Sequence, residues 1–257
     1  MARRLGMFLD TVLHRHTLHR WSRAARRAET RDLTELRAER ARARQLRRQV
    51  DRVLHVAEGR LTLPLIGTNA FRRPPGTDWG YRPELWRGPL HPPGAAAVES
   101  RTRIGDEIVV FHDCQVSELT MRQIRNTRES DLAPFGLQMD VFRFDGSFLS
   151  VVIEMPDSAI EGLKRRHLLR LDAIVEMEKP LEIFARLNLR HGPNTEQIVR
   201  ELPLDGQDMH VEFDLAYTDM NEMRIDRMWL DLIFEDPEMN QITLRDMTLS
   251  RRPRAEL

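Results

Sequence analysis

From about residue 104 onward, apolar and polar residues alternate with a period of two, and this alternation constrains the fold more than any other feature of the chain. Leu137, Met139 and Val141 alternate with Gln138, Asp140 and Phe142. Leu169, Leu171, Ala173, Val175 and Met177 form one apolar row, and Leu181, Ile183, Ala185, Leu187 and Leu189 form another. Val211, Phe213, Leu215 and Tyr217 continue the pattern. Successive side chains of a strand point to opposite faces, so each row reads as the buried face of one strand. Met228 to Phe234 is nearly all apolar, as a central strand would be. Ile242, Leu244, Met247 and Leu249 close the series, with a phase slip at Arg245-Asp246 that predicts a bulge. Phe144-Asp-Gly-Ser-Phe148 predicts a hairpin with a tight turn at Asp145-Gly146. Helical patterns interrupt only near Val116–Arg128 and Ser158–Arg166. Eight or nine strands without helical crossovers argue against a parallel α/β sheet. The expected fold is mainly β: an antiparallel β-sandwich (jelly roll) over residues 104–257, preceded by an α-helical N-terminal arm.

The arm, residues 1–58, differs in period and in charge. Leu5, Phe8, Leu9, Val12, Leu13 and His16 recur at helical spacing over 3–22. A second helix is expected over 30–58, with Thr30 as its N-cap, Asp32 in its first turn and Gly59 as its stop. Leu33, Leu36, Ala43, Val50, Leu54 and Ala57 trace a heptad-like stripe there. Arg40 and Arg47 fall on that stripe and argue against a stable coiled coil. The chain has 40 basic and 40 acidic residues. Residues 1–60 hold 16 Arg against 7 acids, +9, which leaves −9 for the remainder. Arg42, Arg44, Arg47 and Arg48 are the candidate docking residues, suited to an acidic or capsid-like protein surface; an anionic membrane fits the same charges. Nucleic acid is disfavoured because no recognition motif accompanies the arginines. Self-association of the arm into a homo-oligomer is a further option. Residues 59–103 form a Pro/Trp-rich strap whose Trp79, Tyr81 and Trp86 are expected to lie against the body.

The residues exclude several chemistries. Cys114 is the sole cysteine, so neither a disulfide within the chain nor a cysteine-only metal site can form. Nucleophile elbows, phosphate loops and zinc-protease motifs are absent. His14, His16 and His19 lack a carboxylate or cysteine to complete a metal site. Acid pairs such as Glu176/Glu178, Asp231/Glu235 and Asp219/Glu222 are those a body with 33 acids yields by chance, which leaves carbohydrate-active catalysis a weak alternative. No catalytic residue, metal or cofactor is expected. No apolar run reaches the ~18 residues of a membrane span. The N-terminal apolar stretch breaks at Asp10, too short for a secretory signal, so synthesis in the cytoplasm is expected.

Binding is expected at exposed loops. His191-Gly-Pro-Asn-Thr-Glu-Gln197 and Tyr217-Thr-Asp-Met-Asn-Glu222 offer His191, Asn194, Gln197, Asp219 and Asn221 as donors and acceptors suited to sugar hydroxyls. Tyr217 is the candidate aromatic platform, and it also continues an inward row. Turn chemistry alone accounts equally well for these residue types.

Two resemblances add to this reading. The stretches Leu181-Glu-Ile-Phe-Ala-Arg-Leu-Asn188, Asp226-Arg-Met-Trp-Leu-Asp-Leu-Ile-Phe234 and Ile242-Thr-Leu-Arg-Asp-Met-Thr-Leu249 are similar in pattern to galactose-binding-like and carbohydrate-binding-module jelly rolls. Separately, Asp78-Trp-Gly-Tyr-Arg-Pro-Glu-Leu-Trp-Arg-Gly88, Phe142-Arg-Phe-Asp-Gly-Ser-Phe148 and Glu178-Lys-Pro-Leu-Glu-Ile-Phe-Ala185 resemble an uncharacterised alphaproteobacterial family associated with the head-spike base of gene transfer agents, which are phage-like particles. The first resemblance implies glycan recognition. The second implies a virion-like structural component attached to a capsid and released with the particle. A non-enzymatic assembly module is the leading expectation, and a module recognising a cell-surface glycan is the alternative.

Overall fold

The computed structural model describes residues 2–62, 71, 73–115, 118–128, 131–203 and 209–254. The chain divides into two units, Met1–Arg52 and Val53–Leu257. The first contains α1 (Ala2–Arg27), a 3-10 turn at Ala28–Thr30 and most of α2 (Leu33–Thr62). The cap of α2 is Asp32 rather than the expected Thr30, because Arg31 is extended and interrupts the helix between them. Asp32 Oδ2 accepts from the amides of Thr34 at 2.8 Å and Glu35 at 3.4 Å, satisfying two otherwise unpaired helix donors.

The second unit carries α3 (Glu84–Arg87) and the strands β1 (Trp79–Tyr81), β2 (Gly94–Ala95), β3 (Arg103–Ile104), β4 (Ile108–His112), β5 (Leu119–Arg125), β6 (Phe135–Val141), β7 (Leu149–Glu154), β8 (His167–Met177), β9 (Ile183–His191), β10 (Asn194–Glu201), β11 (Met209–Asp214), β12 (Ile225–Phe234) and β13 (Asn240–Pro253). They form two antiparallel sheets. One has seven strands in the order β11-β8-β13-β6-β5-β2, with β1 added to β13. The other has six, β10-β9-β12-β7-β4-β3. Leu137, Met139, Leu169, Leu171, Leu244 and Leu249 of the first sheet meet Val151, Ile153, Leu187, Leu189, Leu230 and Leu232 of the second in one apolar core. This is the antiparallel sandwich that the period-two rows predict, and β12 takes the inner place expected of its apolar run.

The phase slip at Arg245-Asp246 is a β-bulge, where the register of β13 against β8 shifts between Leu244 and Asp246. β13 pairs with β6 up to Leu244 and with β1 from Leu249, so on that side the bulge leaves an interval of ladder open. The strap fills it. Trp86, fully buried, donates from Nε1 to the Leu244 carbonyl at 3.0 Å. Arg82 donates from Nε and Nη2 to the two carboxylate oxygens of Asp246, both at 2.8 Å. Trp79 stacks on Tyr81 with ring centroids 6.0 Å apart.

Two sequence expectations fail here. The Asp145-Gly146 hairpin does not form, because β6 and β7 lie in different sheets and residues 142–148 cross between them. Gly146 is also absent from the left-handed region. Its small size matters for another reason: a Cβ there would lie 2.5 Å from Asp113 Oδ1 and 2.9 Å from Cys114 Sγ. Gly146→Val is therefore expected to destabilise the fold by about 1–3 kcal/mol through crowding, read as a lower melting temperature. An unchanged melt would show that the Asp113 loop yields freely. The tight turn lies instead at Gly192-Pro193, between His191 and Asn194, with Gly192 at φ +60°. Pro193 cannot adopt positive φ, so the turn is of the class with glycine first. Finally, a helix is absent from the described part of Val116–Arg128, residues 118–128, which holds strand β5; Leu119 and Met121 are buried there and alternate with Thr120 and Arg122.

Candidate ligand-binding face

The outer face of the six-stranded sheet carries the side chains left over from the core rows. β12 sends Met228, Leu230, Leu232 and Phe234 inward, so Arg227, Trp229, Asp231 and Ile233 point outward. Cross-strand register sets Asn188 of β9 and Glu154 of β7 on either side of Trp229. It likewise sets Arg186 and Val152 on either side of Asp231. Within the second unit, the backbones of β9, β12 and β7 have their closest neighbours in the adjoining strands of the same sheet.

A polar ladder runs across it. Gln197 Nε2 donates to Asn188 Oδ1 at 2.9 Å, and Asn188 Nδ2 donates to Asp231 Oδ2 at 3.1 Å. Arg186 Nε donates to the same Oδ2 at 2.7 Å. Asn188 and Asp231 are recessed, at 0% and 2% exposure, while Trp229 is half-buried. Asp231 Oδ1 is buried and has no hydrogen-bond partner, which is costly unless a ligand or water supplies one. Ser150 Oγ, on the neighbouring strand β7, is also buried and unpaired. The guanidinium of Arg227 sits 4.8 Å from the centre of the Trp229 ring and is anchored by Glu154. The charge-assisted bond to Glu154 strengthens its hold on the proton, raising the Arg227 pKa.

The residues proposed from sequence are distributed differently. His191 is not at a loop tip; it is buried at the end of β9, where alternation turns it inward beside Leu189. Its Nδ1 accepts from the Asn221 amide at 3.3 Å, and its Nε2 lies 3.5 Å from Glu196. It ties the 215–224 segment to the sheet. Asn194 is exposed at the hairpin, and Asn221 is exposed with its Oδ1 accepting from the Met223 amide at 3.1 Å. Asp219 is exposed. Tyr217 leaves the inward row because β11 ends at Asp214 and a 3-10 turn follows; it is 80% exposed, with Arg254 5.8 Å from its ring. Among the described residues, no hydrogen bond or ion pair joins Tyr217 or Asp219 to the hairpin. Gln197 alone of the six enters the polar ladder. Arg42, Arg44, Arg47 and Arg48 are all exposed on α2.

The seven-stranded sheet has its own outer cavity, about 700 Å³, lined in part by Phe71, Arg128, Glu176, Arg245 and Asp246. Its charges largely satisfy one another. Glu176 is held by Arg128 and by Arg245 at 2.7 Å, Arg170 by Asp172 at 2.6 Å, and Asp246 by Arg82. Burial pushes the Glu176 carboxyl up, and Arg245 and Arg128 more than reverse this, leaving it below its ordinary range. Phe71, the one aromatic side chain among the described residues that line it, has Arg73 at 4.9 Å and Arg82 at 5.3 Å from its ring. Of these charged groups only Arg82 and Arg73 belong to the strap, and Arg82 Nη1 is buried without a hydrogen-bond partner. Among the described residues, no cluster of His, Cys, Asp and Glu is placed to hold a metal, and no helix is long and apolar enough to cross a membrane.

A family model matches residues 1–257. The chain belongs to the family of unknown function DUF6478. No curated protein matches it. Among solved structures, this DUF6478 member is similar to the family 11 carbohydrate-binding module of Clostridium thermocellum in complex with a β-1,3-1,4-mixed-linked tetrasaccharide, at 11% identity and TM-score 0.38, over 64% of this chain and 98% of that one. It is similar to the CBM22-1 xylan-binding domain of Paenibacillus barcinonensis Xyn10C at 8% identity and TM-score 0.37, over 72% of this chain and 100% of that one. The enzymatically active domain of bacteriophage CBA120 tailspike protein 4 matches at 7% identity and TM-score 0.40, over 56% of this chain and only 19% of that one. Likeness at this level concerns the fold alone.

Proposed function

We propose that this DUF6478 protein is a non-enzymatic glycan-binding module that takes its ligand on the outer face of the six-stranded sheet, around Trp229. The observation that carries the reading is the unpaired, recessed Asp231 Oδ1 beside a half-buried indole on the outer side of the sheet. A sugar ring offers an apolar C–H face to an aromatic platform and a rim of hydroxyls that both donate and accept. Asp231 accepts, Arg186 donates, and Asn188 and Gln197 do both. One acid of each possible catalytic pair has other employment, which supports binding over catalysis: Glu176 and Asp231 are engaged by arginines, and Glu222 accepts from the Arg165 amide at 2.7 Å.

The test is retention on a polysaccharide panel, followed by titration of the best ligand. Trp229→Ala is expected to weaken binding at least tenfold, about 1.4 kcal/mol, with the melting temperature nearly unchanged. Asn194→Ala, Asn221→Ala and Tyr217→Ala should have little effect. If wild type retains no glycan, or if the loop variants abolish binding while Trp229→Ala does not, this site is wrong. A second reading is favoured by the exposed arginines of the first unit: an assembly role, as a head-spike base component of a phage-like particle, with Arg42, Arg44, Arg47 and Arg48 docking on an acidic surface.

A further inference from the structure

Strand register extends the outer face of the six-stranded sheet well beyond Trp229. β4 sends Ile108 and Val110 into the core, so Val109 and Phe111 point outward. Ser150, Val152 and Glu154 of β7 point outward for the same reason. Pairing of β12, β7 and β4 sets these side chains in three rows. Trp229 stands beside Glu154, Asp231 beside Val152 and Val109, and Ile233 beside Ser150 and Phe111. Trp229 and Phe111 therefore occupy opposite corners, about 17 Å apart at the usual strand spacing and rise. Both are half-buried.

Two unpaired polar atoms flank that diagonal. Asp231 Oδ1 is on β12 and Ser150 Oγ on β7, with their Cα atoms about 8 Å apart by the same spacing. Ser150 is 5% exposed. Its cross-strand neighbours, Phe111 and Ile233, have no polar side-chain atom to offer it. A buried hydroxyl without a partner is costly, as is a buried carboxylate oxygen. The charges of the face, in contrast, cancel locally. Arg227 pairs with Glu154, Arg186 with Asp231 and Arg190 with Asp226. Val152 lies at the middle of the diagonal and Val109 beside it, so among the described residues no unpaired charge stands on this track.

Resting on the glycan site placed around Trp229, we propose that its ligand is an uncharged polysaccharide, bound as an extended stretch that runs from Trp229 across Val152 to Phe111. Each ring carries the apolar face of one sugar. Asp231 Oδ1 accepts from a hydroxyl between them, and Ser150 Oγ exchanges a hydrogen bond with another. A disaccharide is too short to reach both rings. An acidic polysaccharide would bring carboxylates to a face whose arginines are already engaged and whose Asp231 and Glu154 repel them. Phe184 also points outward from β9, but its cross-strand neighbours are Ile233 and Glu201, with no unpaired polar atom among them. It lies off the track.

The test is made on the full chain at about 500 mM salt, where attraction of polyanions to exposed arginines is largely screened. Among β-glucan, galactomannan, dextran, alginate and polygalacturonate, retention is expected only from the uncharged three. Oligosaccharides cut from the retained polymer should gain at least about tenfold in affinity from disaccharide to hexasaccharide. Phe111→Leu should weaken the hexasaccharide about tenfold and leave the disaccharide unchanged. Ser150→Ala should weaken the hexasaccharide several-fold while its melting temperature equals or exceeds that of wild type, because an unpaired buried hydroxyl is gone. Phe184→Leu should bind like wild type. Equal affinity for disaccharide and hexasaccharide overturns the track and leaves the Trp229 site standing, as does a silent Phe111→Leu beside a damaging Trp229→Ala. Alginate or polygalacturonate retained as well as the uncharged polymers overturns the ligand class. A wild type that retains nothing, or a silent Trp229→Ala, overturns the glycan site itself and the track with it.

Discussion

Asp246→Ala is expected to cost about 3–5 kcal/mol, because it leaves Arg82, 3% exposed, without its carboxylate. Burial pushes the Asp246 carboxyl up, and Arg82 offsets only part of this, leaving it above its ordinary range. The pair thus brings two charges out of water and spends most of their attraction offsetting that. Removing one partner keeps the desolvation penalty of the other and discards the attraction. At roughly 2–4 °C per kcal/mol for a domain of this size, the melting temperature should fall by about 10 °C. Arg82→Met combined with Asp246→Leu should recover most of that loss, since apolar groups of similar volume satisfy such a site. A single variant that melts like wild type would mean that water reaches Arg82 as soon as the carboxylate is gone.

Trp86→Ala should be about as damaging, about 3–5 kcal/mol. Its side chain is fully buried, and its Nε1 is the donor to the Leu244 carbonyl that the bulge frees from the ladder. Trp86→Phe separates the two contributions. It keeps most of the packing and removes only the hydrogen bond, so it should cost about 1–3 kcal/mol. If Trp86→Phe proved as harmful as Trp86→Ala, the carbonyl rather than the ring volume would dominate the site.

These two residues show why the fold was more legible in the sequence than the ligand-binding face. Burial on one side of a sheet imposes a period of two, so the rows Leu169–Met177 and Leu181–Leu189 announce strands β8 and β9 without any partner. The bulge at Arg245-Asp246 is visible for the same reason, as a break in that period. Asp145-Gly146 misled because turn propensity is local, whereas the choice between a hairpin and a crossing to the other sheet depends on which strand stands opposite. Val116–Arg128 misled because Leu119 and Met121 are too few to separate a period of two from one of 3.6. The ligand-binding face depends still more on pairing. Trp229 and Asp231 stand in a run whose apolar majority hides them, and Asn188 and Gln197 lie on other strands. Only register brings the four together. His191 had the right chemistry in the wrong position, since its parity in β9 directs it inward.

The position of β13 has a consequence for how the molecule is made. It is the last strand of its sheet in chain order, yet it stands in the middle, bordered by β8 on one side and by β6 and β1 on the other. The six-stranded sheet holds its full set of strands once Phe234 has left the ribosome. The other sheet then exists as two separate flaps, β11-β8 and β6-β5-β2, whose facing edges have no partner. The two flaps cannot be joined, nor the strap paired through β1, before Asn240–Pro253 is available, so completion of this sheet waits for its last strand.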